Sequence, residues 1–448
     1  MHFETEPMPL QDLIAQGDFL CACGKIHTPG IEHCEISAGA LQKLPTFLAQ
    51  YHASRIFLLA DSNTWQAAGE KTAEILTAAG LQFSSYVFPQ AHLAPDESAV
   101  GSAVMHFDTA CDMIVTVGSG VLNDISKILA SLSGKPYLVV ATAPSMDGYA
   151  SPTSSMERDG LKVSLPTVAP NVILAALDVL CEAPLHMIAS GLGDMIAKYT
   201  SLCEWKIAHI LLGEDTCDTV IQLVRSALKK CTDAVPQLPN KDPDAIRSVM
   251  EGMVIAGIAM KYAGTSRPAS GMEHYISHLW DMRKLEFGTP ADLHGIQCGI
   301  GTLLTLRLYD EIKNLTPDRE KALSFVKNFD REEKFAQLRS FLGKGAESMI
   351  TGELREKKYD PEKHARRLEK ILTHWPELLT AINALPSYEW VESILRQVGA
   401  PTQPAQIGIS QEETKNALLH CMDIRDKYVG TRLLWDLGEL ESTVARLF

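Results

Sequence analysis

Short runs of consecutive apolar residues, separated by stretches of helical periodicity, fill the first 180 residues of the chain. Four of these runs begin at Arg55, Ser84, Met113 and Tyr137 and read RIFLLA, SSYVF, MIVTVG and YLVVAT. A strand can give up the alternation of apolar and polar residues only when both of its faces are covered, as in a parallel sheet between layers of helices. The pattern therefore predicts an open α/β domain over residues 1–180.

After Leu180 the strand pattern stops, and apolar residues recur every three or four positions. This spacing is typical of amphipathic helices. It runs through residues 187–212, 245–263, 270–284, 294–312 and 412–446. The pattern predicts a second, all-helical domain over residues 181–448. Charged residues are densest just after residue 312, and prolines punctuate the chain up to about residue 405, so we expect an extra helical segment near 312–405.

Composition narrows the class of protein. The chain has 448 residues, of which 46% are hydrophobic, and 41 basic against 55 acidic residues give a net charge of -14. Such a charge, without a basic stripe, argues against a nucleic-acid partner. No apolar run reaches the roughly 18 residues that a membrane span needs, and the acidic start does not resemble a signal peptide. Ten scattered cysteines suit reduced thiols, so we expect a cytoplasmic protein.

The third apolar run leads directly into a glycine-containing loop that precedes a helical stretch. Glycines at such a junction let the backbone approach a pyrophosphate, whose charge the free N–H groups of the helix can bind. Asn123 occupies the third glycine position of the usual fingerprint, so a plain strand-to-helix turn is an alternative. Asp61, at the end of the first run, could bind an adenosine ribose or cap the next helix. The loop consists of Gly118, Ser119, Gly120, Val121 and Leu122.

A second loop follows the run that begins at Tyr137. It is rich in hydroxyl and carboxylate side chains, and it lies where open α/β sheets bind their ligands. A polar surface turn would have a similar composition. The candidate residues in this loop are Thr142, Ala143, Pro144, Ser145, Asp147 and Ser151.

Three residues of the helical half are suited to a metal ion. Asp194, His274 and His294 would supply one carboxylate and two imidazoles, a donor set that leaves coordination positions open for a substrate oxygen. His278 lies four residues after His274, on the same face of the predicted helix. Either both histidines bind one ion, or His274 binds the ion and His278 contacts the substrate.

A cysteine-rich segment near the start also contains zinc-type ligands. Cys21, Cys23 and His27 are followed by His33 and Cys34. Two cysteines only one residue apart are an unusual pair for a tetrahedral site. We therefore interpret this segment as a structural turn.

Five sequence blocks together resemble one enzyme family. VTVGSGVLNDISK, ATAPSMDGYASP, GLGDMIAKYTSLCEW, SGMEHYISHLW and LHGIQCGIG occur in the order seen in sn-glycerol-1-phosphate dehydrogenases, with the bacterial AraM-type branch most similar. That family belongs to the dehydroquinate synthase and metal-dependent alcohol dehydrogenase superfamily. The resemblance covers residues 20–310 and the final helices. It implies a dehydroquinate synthase-like fold, with an α/β nucleotide-binding domain followed by an all-α metal-binding domain, and a homodimer.

The resemblance also assigns roles to the candidate residues. It implies that Asp147 and His278 contact the substrate, and that Asp194 lies near it. It implies one divalent ion, of zinc, nickel or iron, held by Asp194, His274 and His294. Contacts to NAD or NADP are implied for Asp61, Gly118, Ser119, Gly120, Val121, Leu122, Thr142, Ala143, Pro144, Ser145 and Ser151. A carboxylate at the ribose would repel a 2'-phosphate, so Asp61 would favour NAD.

The reaction implied by the resemblance interconverts dihydroxyacetone phosphate and sn-glycerol-1-phosphate by hydride transfer. The product sn-glycerol-1-phosphate would suit phospholipid biosynthesis. A phosphorylated substrate needs cationic or N–H partners, for which Lys162, Lys198, Arg267 and the backbone near Ser266 are candidates. The alternative is an NAD-linked dehydrogenase of glycerol or another unphosphorylated polyol. That enzyme would use the same metal and cofactor residues without a phosphate pocket.

Overall fold

The computed structural model describes residues 8–90 and 92–448. The first seven residues of the predicted α/β domain, together with Ala91, lie outside this described part. The strands are β1 Phe19–Leu20, β2 Ile26–His27, β3 His33–Ser37, β4 Arg55–Asp61, β5 Gln82–Phe88, β6 Met113–Gly118, β7 Tyr137–Ala141, β8 Thr153–Arg158, β9 Leu161–Pro166 and β10 Val172–Ala176.

Helices flank the central sheet and form most of the remaining chain. They are α1 Leu10–Ala15, α2 Leu44–Gln50, α3 Ser62–Thr64, α4 Glu70–Ala78, α5 Glu97–His106, α6 Gly120–Ser133, α7 Leu177–Leu180, α8 Leu185–Ile196, α9 Lys198–Leu212, α10 Asp218–Ala234, α11 Pro243–Ala263, α12 Met272–Phe287, α13 His294–Lys313, α14 Arg319–Lys327, α15 Arg331–Leu342, α16 Ala346–Glu356, α17 Pro361–Asn383, α18 Tyr388–Gln397, α19 Gln411–His420, α20 Gly430–Asp436 and α21 Leu440–Arg446. Among the described residues, no helix is both long and apolar enough to cross a membrane.

The central sheet has six parallel strands in the order β3-β10-β7-β6-β4-β5. Alternate residues of each inner strand enter two different cores. In β4, for example, Phe57 packs with α6 on one face, whereas Ile56 packs with α2 and α4 on the other. Burial on both faces explains why the inner strands are almost wholly apolar. The predicted fold class, an α/β domain followed by an all-helical part, is confirmed.

Four of the predicted runs match β4, β5, β6 and β7, and β10 is the last strand of the chain. Two predicted helical segments are interrupted. The segment 187–212 is divided at Ala197 into α8 and α9, because the helical hydrogen bonding restarts there. The segment 412–446 forms α19, α20 and α21, and the last two are separated at Gly438, where a φ of 68° cannot continue a right-handed helix.

The helical part is built around α13, which packs against α8 and α12, while α10 and α11 form a neighbouring pair. The predicted extra segment forms α14 to α18, of which α17 packs on α9 and α18 on α13 and α8. The division of the chain at residue 180, and the status of 312–405 as an addition to the fold, remain predictions.

Candidate active site

A cleft of about 600 Å³ separates the carboxyl ends of the strands from the helices. The sheet side contributes Asp61, Ser119 and Gly120, and the helical side contributes His274 and His278. The strand order reverses between β4 and β6, since the chain continues from β4 to one edge and from β6 towards the other. Open parallel sheets bind ligands in the crevice at such a reversal. The volume lies within the range of small-molecule and cofactor sites.

The first glycine-containing loop meets this cleft, and its contact with a nucleotide stays a prediction. Ser119, Gly120, Val121 and Leu122 line the cleft at the N-terminus of α6. Gly118 ends β6 behind them, where a side chain would collide with Leu122. The first N–H groups of a helix have no partner within it, so this end of α6 can bind an anion such as a pyrophosphate.

Asp61 caps the next helix and also lies in the cleft, where a ribose could bind. Its Oδ1 accepts hydrogen bonds from the backbone N–H groups of Asn63 (2.9 Å) and Thr64 (2.8 Å), so it caps α3. It also lines the cleft. The contact between Asp61 and a ribose stays a prediction.

Asn123, which departs from the usual fingerprint, has a structural task. Its Nδ2 donates to the backbone oxygen of Gly148 (3.2 Å), and Tyr137 Oη donates to its Oδ1 (2.8 Å). The buried Lys127 ammonium donates to the same Gly148 oxygen (2.5 Å) and to Ser151 Oγ (3.1 Å). These bonds from α6 hold the second loop at the cleft.

Only part of the second loop reaches the cleft. Asp147 and Ser151 line it, whereas Thr142, Ala143, Pro144 and Ser145 are buried beneath it. Helix α8 covers them so closely that a Cβ on Gly191 would lie 2.0 Å from the Pro144 oxygen. Ser190 Oγ also donates to the Ser145 oxygen (3.0 Å). These four residues therefore support the loop, and their contact with a cofactor stays a prediction.

The three predicted metal ligands converge from three helices. Asp194 on α8, His274 on α12 and His294 at the start of α13 each place a ligand atom within 4.8 Å of the others. The close approach depends on Gly193, since a Cβ there would lie 2.3 Å from the Gly295 oxygen. Cys298 is a fourth member of the group, with its Sγ 3.5 Å from His294 Nε2.

Buried partners fix the orientation of these ligands. Glu273 Oε1 lies 3.0 Å from His274 Nδ1, which leaves His274 Nε2 facing Asp194 Oδ1 at 3.4 Å. Thr200 Oγ1 donates to the other Glu273 oxygen (2.8 Å). A carboxylate behind a ligating imidazole is the usual way in which proteins orient a metal-binding histidine.

A buried lysine joins the two carboxylates beside the cleft. Lys198 Nζ lies 3.1 Å from Asp194 Oδ1 and 2.5 Å from Asp147 Oδ2. The backbone N–H of Asp147 donates to Asp194 Oδ2 (2.9 Å). Burial opposes ionisation of Asp194, but the ammonium of Lys198 and the nearby imidazoles outweigh it and hold the pKa of Asp194 well below its ordinary value.

The donor set suits a divalent cation. Burial opposes the charged form of Cys298, yet His274 and His294 lower the pKa of this thiol. Two imidazoles thus face a carboxylate and a thiol, and a borderline metal ion binds all of these groups.

His278 is separate from the ligand group. It lies in a second group with Asp281 and His294, and its ring centre is 6.4 Å from that of His274. It lines the cleft, and its buried Nδ1 accepts no hydrogen bond from the described residues. Burial, reinforced by the charge of Arg425, holds the pKa of His278 well below its ordinary value, so the ring is neutral. This arrangement favours a substrate contact over a shared metal ion.

Comparisons with known proteins agree with this geometry. The family model for iron-containing alcohol dehydrogenases matches residues 35–184. The glycerol-1-phosphate dehydrogenase [NAD(P)+] of Halalkalibacterium halodurans is 29% identical over 94% of this chain and 95% of that protein. The enzyme of the same name from Methanothrix thermoacetophila is 32% identical over 61% of this chain and 75% of that protein. The chain belongs to the glycerol-1-phosphate dehydrogenase family.

Solved structures support the same fold. Glycerol dehydrogenase from Schizosaccharomyces pombe superposes with a TM-score of 0.60 at 15% identity, covering 93% of this chain and 90% of that one. As a glycerol-1-phosphate dehydrogenase family member, the protein is an oxidoreductase of the alcohol dehydrogenase class. Enzymes of this class work with a nucleotide cofactor and a metal ion, and the cleft and the ligand group described above fit both.

The sequence reasoning overlooked several residues of this dehydrogenase site. Cys298 could have been found, because it lies four residues after His294 on the same helical face. Glu273 directly precedes His274, and this adjacency could have suggested that its carboxylate orients the His274 ring. Arg425 lines the cleft from the loop before α20, and no local pattern marks it. Lys198 and Arg267, two of the candidates for phosphate binding, are buried and form ion pairs with Asp147 and Glu214, and a phosphate contact of either stays a prediction.

Proposed function

We propose that this protein interconverts dihydroxyacetone phosphate and sn-glycerol-1-phosphate, with NAD(H) or NADP(H) as the hydride carrier. The observation that carries the proposal is the composition of one cleft wall. Lys162 and Arg425 line the same cleft as His274, His278 and His294, so a cationic region faces the ligand group. A substrate with a ketone carbonyl and a phosphate on the neighbouring carbon matches both regions. The curated relatives carry this activity in their names.

In this proposal Asp194, His274 and His294 hold one divalent ion, and Cys298 is close enough to join them. Zinc, nickel and iron all suit this donor set. When bound, the ion polarises the substrate carbonyl while the nicotinamide supplies or accepts the hydride. Glu273 keeps the His274 ring in the ligating orientation, and Lys198 holds Asp194 and Asp147 side by side.

The substrate would lie between the ligand group and the two cations. Asp147 and His278 border this space, so their side chains are placed to hydrogen-bond the substrate hydroxyls and to exchange a proton with them. Arg425 donates to Ser164 Oγ (3.1 Å) from the β8–β9 hairpin, which also carries Lys162. The phosphate would therefore bind between this hairpin and the loop before α20.

The cofactor would lie across the carboxyl ends of β4 and β6, with its pyrophosphate at the N-terminus of α6. Asp61 would accept hydrogen bonds from the ribose and would disfavour a 2'-phosphate, so we expect NAD to be the better substrate. We also propose a homodimer, as the sequence resemblance implies.

The test compares phosphorylated and unphosphorylated ketones. Metal-loaded protein is assayed for NADH oxidation with dihydroxyacetone phosphate and with dihydroxyacetone, and the product is resolved by chiral analysis. We expect turnover restricted to the phosphate ester and formation of sn-glycerol-1-phosphate. Turnover of dihydroxyacetone alone would instead assign the protein to the polyol dehydrogenases.

The variant Arg425→Gln sharpens this assay. Loss of a charge-assisted hydrogen bond costs about 1.5–3 kcal/mol, so kcat/KM for dihydroxyacetone phosphate should fall by about 10- to 100-fold. The matched control is Arg158→Gln, because Arg158 lies at the exposed tip of the β8–β9 hairpin, which Arg425 contacts, and does not line the cleft. Equal losses in both variants would remove the phosphate assignment.

A further inference from the structure

A second group of metal-type ligands lies outside the cleft. Cys21, Cys23 and His27 lie on the hairpin formed by β1 and β2, and Cys217 is the residue directly before α10. One ligand atom of each residue lies within 4.8 Å of the other three. The first three are close in sequence, but Cys217 is 196 positions from Cys21. His33 and Cys34, the other candidates in this segment, lie on β3 of the central sheet.

The distances in this group match a tetrahedral metal site. Cys21 Sγ and Cys217 Sγ are 3.7 Å apart, and His27 Nε2 lies 3.5 Å from Cys23 Sγ and 3.4 Å from Cys217 Sγ. With Zn–S bonds of about 2.3 Å and a Zn–N bond of about 2.0 Å, tetrahedral geometry separates neighbouring ligand atoms by about 3.5 to 3.8 Å. The four atoms therefore surround a position of the right size for zinc.

The surroundings hold these ligands in place. The backbone N–H of Cys21 donates to the Lys25 oxygen (2.9 Å), and that of Gly24 donates to the Cys21 oxygen (2.9 Å), so the ligand turn is closed by its own hydrogen bonds. The His27 ring is stacked on Tyr262 of α11, with centroids 4.8 Å apart and planes inclined by 16°. Stacking of this kind fixes the ring plane and directs Nε2 at the sulfurs.

The loop that carries Cys217 is equally well anchored. Trp205 Nε1 donates to the Asp215 oxygen (3.0 Å), and Lys25 of the hairpin pairs with the Asp215 carboxylate at 3.1 Å. Thr219 Oγ1 lies 3.3 Å from Cys21 Sγ, within hydrogen-bond distance for sulfur. Such contacts to a ligating sulfur are typical of the outer shell of metal sites.

We propose that Cys21, Cys23, His27 and Cys217 bind a structural Zn²⁺ ion that fastens the N-terminal hairpin to the helical domain. Three thiolates and one imidazole fill all four tetrahedral positions, so no position is open for a substrate. None of the four residues lines the cleft. Zinc binding releases the thiol protons. It also closes a loop that contains nearly the whole α/β domain, so the ion would stabilise the fold. It would not take part in hydride transfer.

The experiment measures zinc content and zinc coordination in the full-length protein purified with zinc. X-ray absorption should report sulfur neighbours at about 2.3 Å. In the variant His274→Ala, which weakens the catalytic ligand group, the remaining zinc should show three sulfur neighbours and one nitrogen neighbour. In Cys217→Ser the zinc content should fall by one ion per chain, the sulfur signal should largely disappear, and kcat should be unchanged.

Two further variants guard against loss of folding. Cys23 is the partly exposed member of the group, so Cys23→Ser should reduce zinc content with little direct effect on packing. Cys181→Ser is the control, because Cys181 is also partly exposed but lies outside both ligand groups. It should keep its full zinc content.

Two outcomes would overturn the proposal. One is a zinc content in Cys217→Ser and Cys23→Ser that equals that of the unsubstituted protein. The other is a Cys21–Cys217 disulfide in protein prepared without oxidant, detected as the loss of two titratable thiols, because these sulfurs would then be unable to bind zinc. Failure of the dehydrogenase assay would leave the zinc measurement unaffected, so the two proposals are tested separately.

Discussion

The described part of the protein contains two largely buried groups of side chains suited to a metal ion, and they differ in the ways that separate a reactive site from a structural one. The group around Asp194, His274 and His294, with Cys298 beside it, mixes oxygen, nitrogen and sulfur donors and opens on the cleft. The group around Cys21 and Cys217 is rich in sulfur and lies away from it. An open, mixed donor set leaves a position for substrate, whereas a closed thiolate set completes the coordination of its ion.

Their supports differ as well. Behind the cleft group lie charged side chains, with Glu273 against His274 and Lys198 against Asp194. The cysteine group is supported mainly by aromatic packing and backbone hydrogen bonds, through Tyr262, Phe19 and the ligand turn. Charged neighbours tune the chemistry of a ligand, whereas rings and backbone bonds mainly fix its position. We therefore expect changes near the first group to affect turnover and changes near the second to affect stability.

The largest difference is expected for removal of one ligand at the cleft. Loss of Lewis-acid stabilisation is worth several kcal/mol, so His274→Ala should lower kcat by about 10³-fold or more. The sulfur-bound zinc should remain. The control is His374→Ala, since His374 lies on α17, away from both ligand groups, and pairs with Glu377. Activity of His274→Ala within tenfold of wild type would contradict the assignment of the cleft group as the reactive one.

A chelator should remove the metal ion of the cleft group sooner than that of the cysteine group. A mild oxygen- and nitrogen-donor chelator should first abolish activity, and metal added back at this stage should restore it. Release of the sulfur-bound ion should come later and remove about 2.7 kcal/mol of stability if zinc had been present at 100 times its Kd. For a chain of this size we expect the Tm to fall by about 5 °C. Simultaneous loss of activity and Tm would show that the two groups are not independent.

The sequence predicted the parts of the fold that depend on local pattern. The inner strands β4, β6 and β7 were recognisable because burial on both faces leaves continuous apolar runs, as in MIVTVG. Strand β10, VILAA, runs directly into α7, and periodicity alone cannot separate so short a run from the start of a helix. Strand β3, HCEIS, lies at the sheet edge and contains polar residues, so it lacked the signal of an inner strand.

The same limit applies to the two ligand groups. His274 and His278 share a helical face, and spacing alone left both as candidate ligands. In three dimensions His274 lies against Asp194, whereas His278 groups with Asp281 and His294, and the roles of the two histidines stay predictions. The cysteine group was interpreted as a turn because Cys21 and Cys23 are only one residue apart, an unusual spacing for a tetrahedral site, and its fourth member, Cys217, is nearly 200 residues from the hairpin. Spacing within one segment cannot reveal a ligand that another part of the fold supplies.

A smaller effect is expected from the carboxylate behind the catalytic ligands. Glu273→Gln keeps the size of the side chain but removes the charge that faces His274 Nδ1. Changes of this kind typically weaken metal affinity by about 10- to 100-fold. Titration of the metal-depleted variant with zinc, followed by activity, should show this loss while the sulfur-bound ion stays in place. A zinc affinity equal to that of wild type would mean that the charge of Glu273 does not contribute to metal binding.

The smallest effect is expected at the ring that supports the cysteine group. Tyr262→Leu removes the stack on His27, and aromatic pairs contribute about 0.5–1.5 kcal/mol beyond their buried area. The variant should therefore melt a few degrees below wild type, release zinc faster to a chelator, and keep the wild-type kcat. Tyr262→Phe is the matched control, because the buried Tyr262 hydroxyl has no hydrogen-bond partner among the described residues. Removing that hydroxyl while keeping the ring should leave zinc release unchanged. If the two variants release zinc at the same rate, then the ring does not hold His27, and the closed group loses the aromatic support that distinguishes it from the cleft.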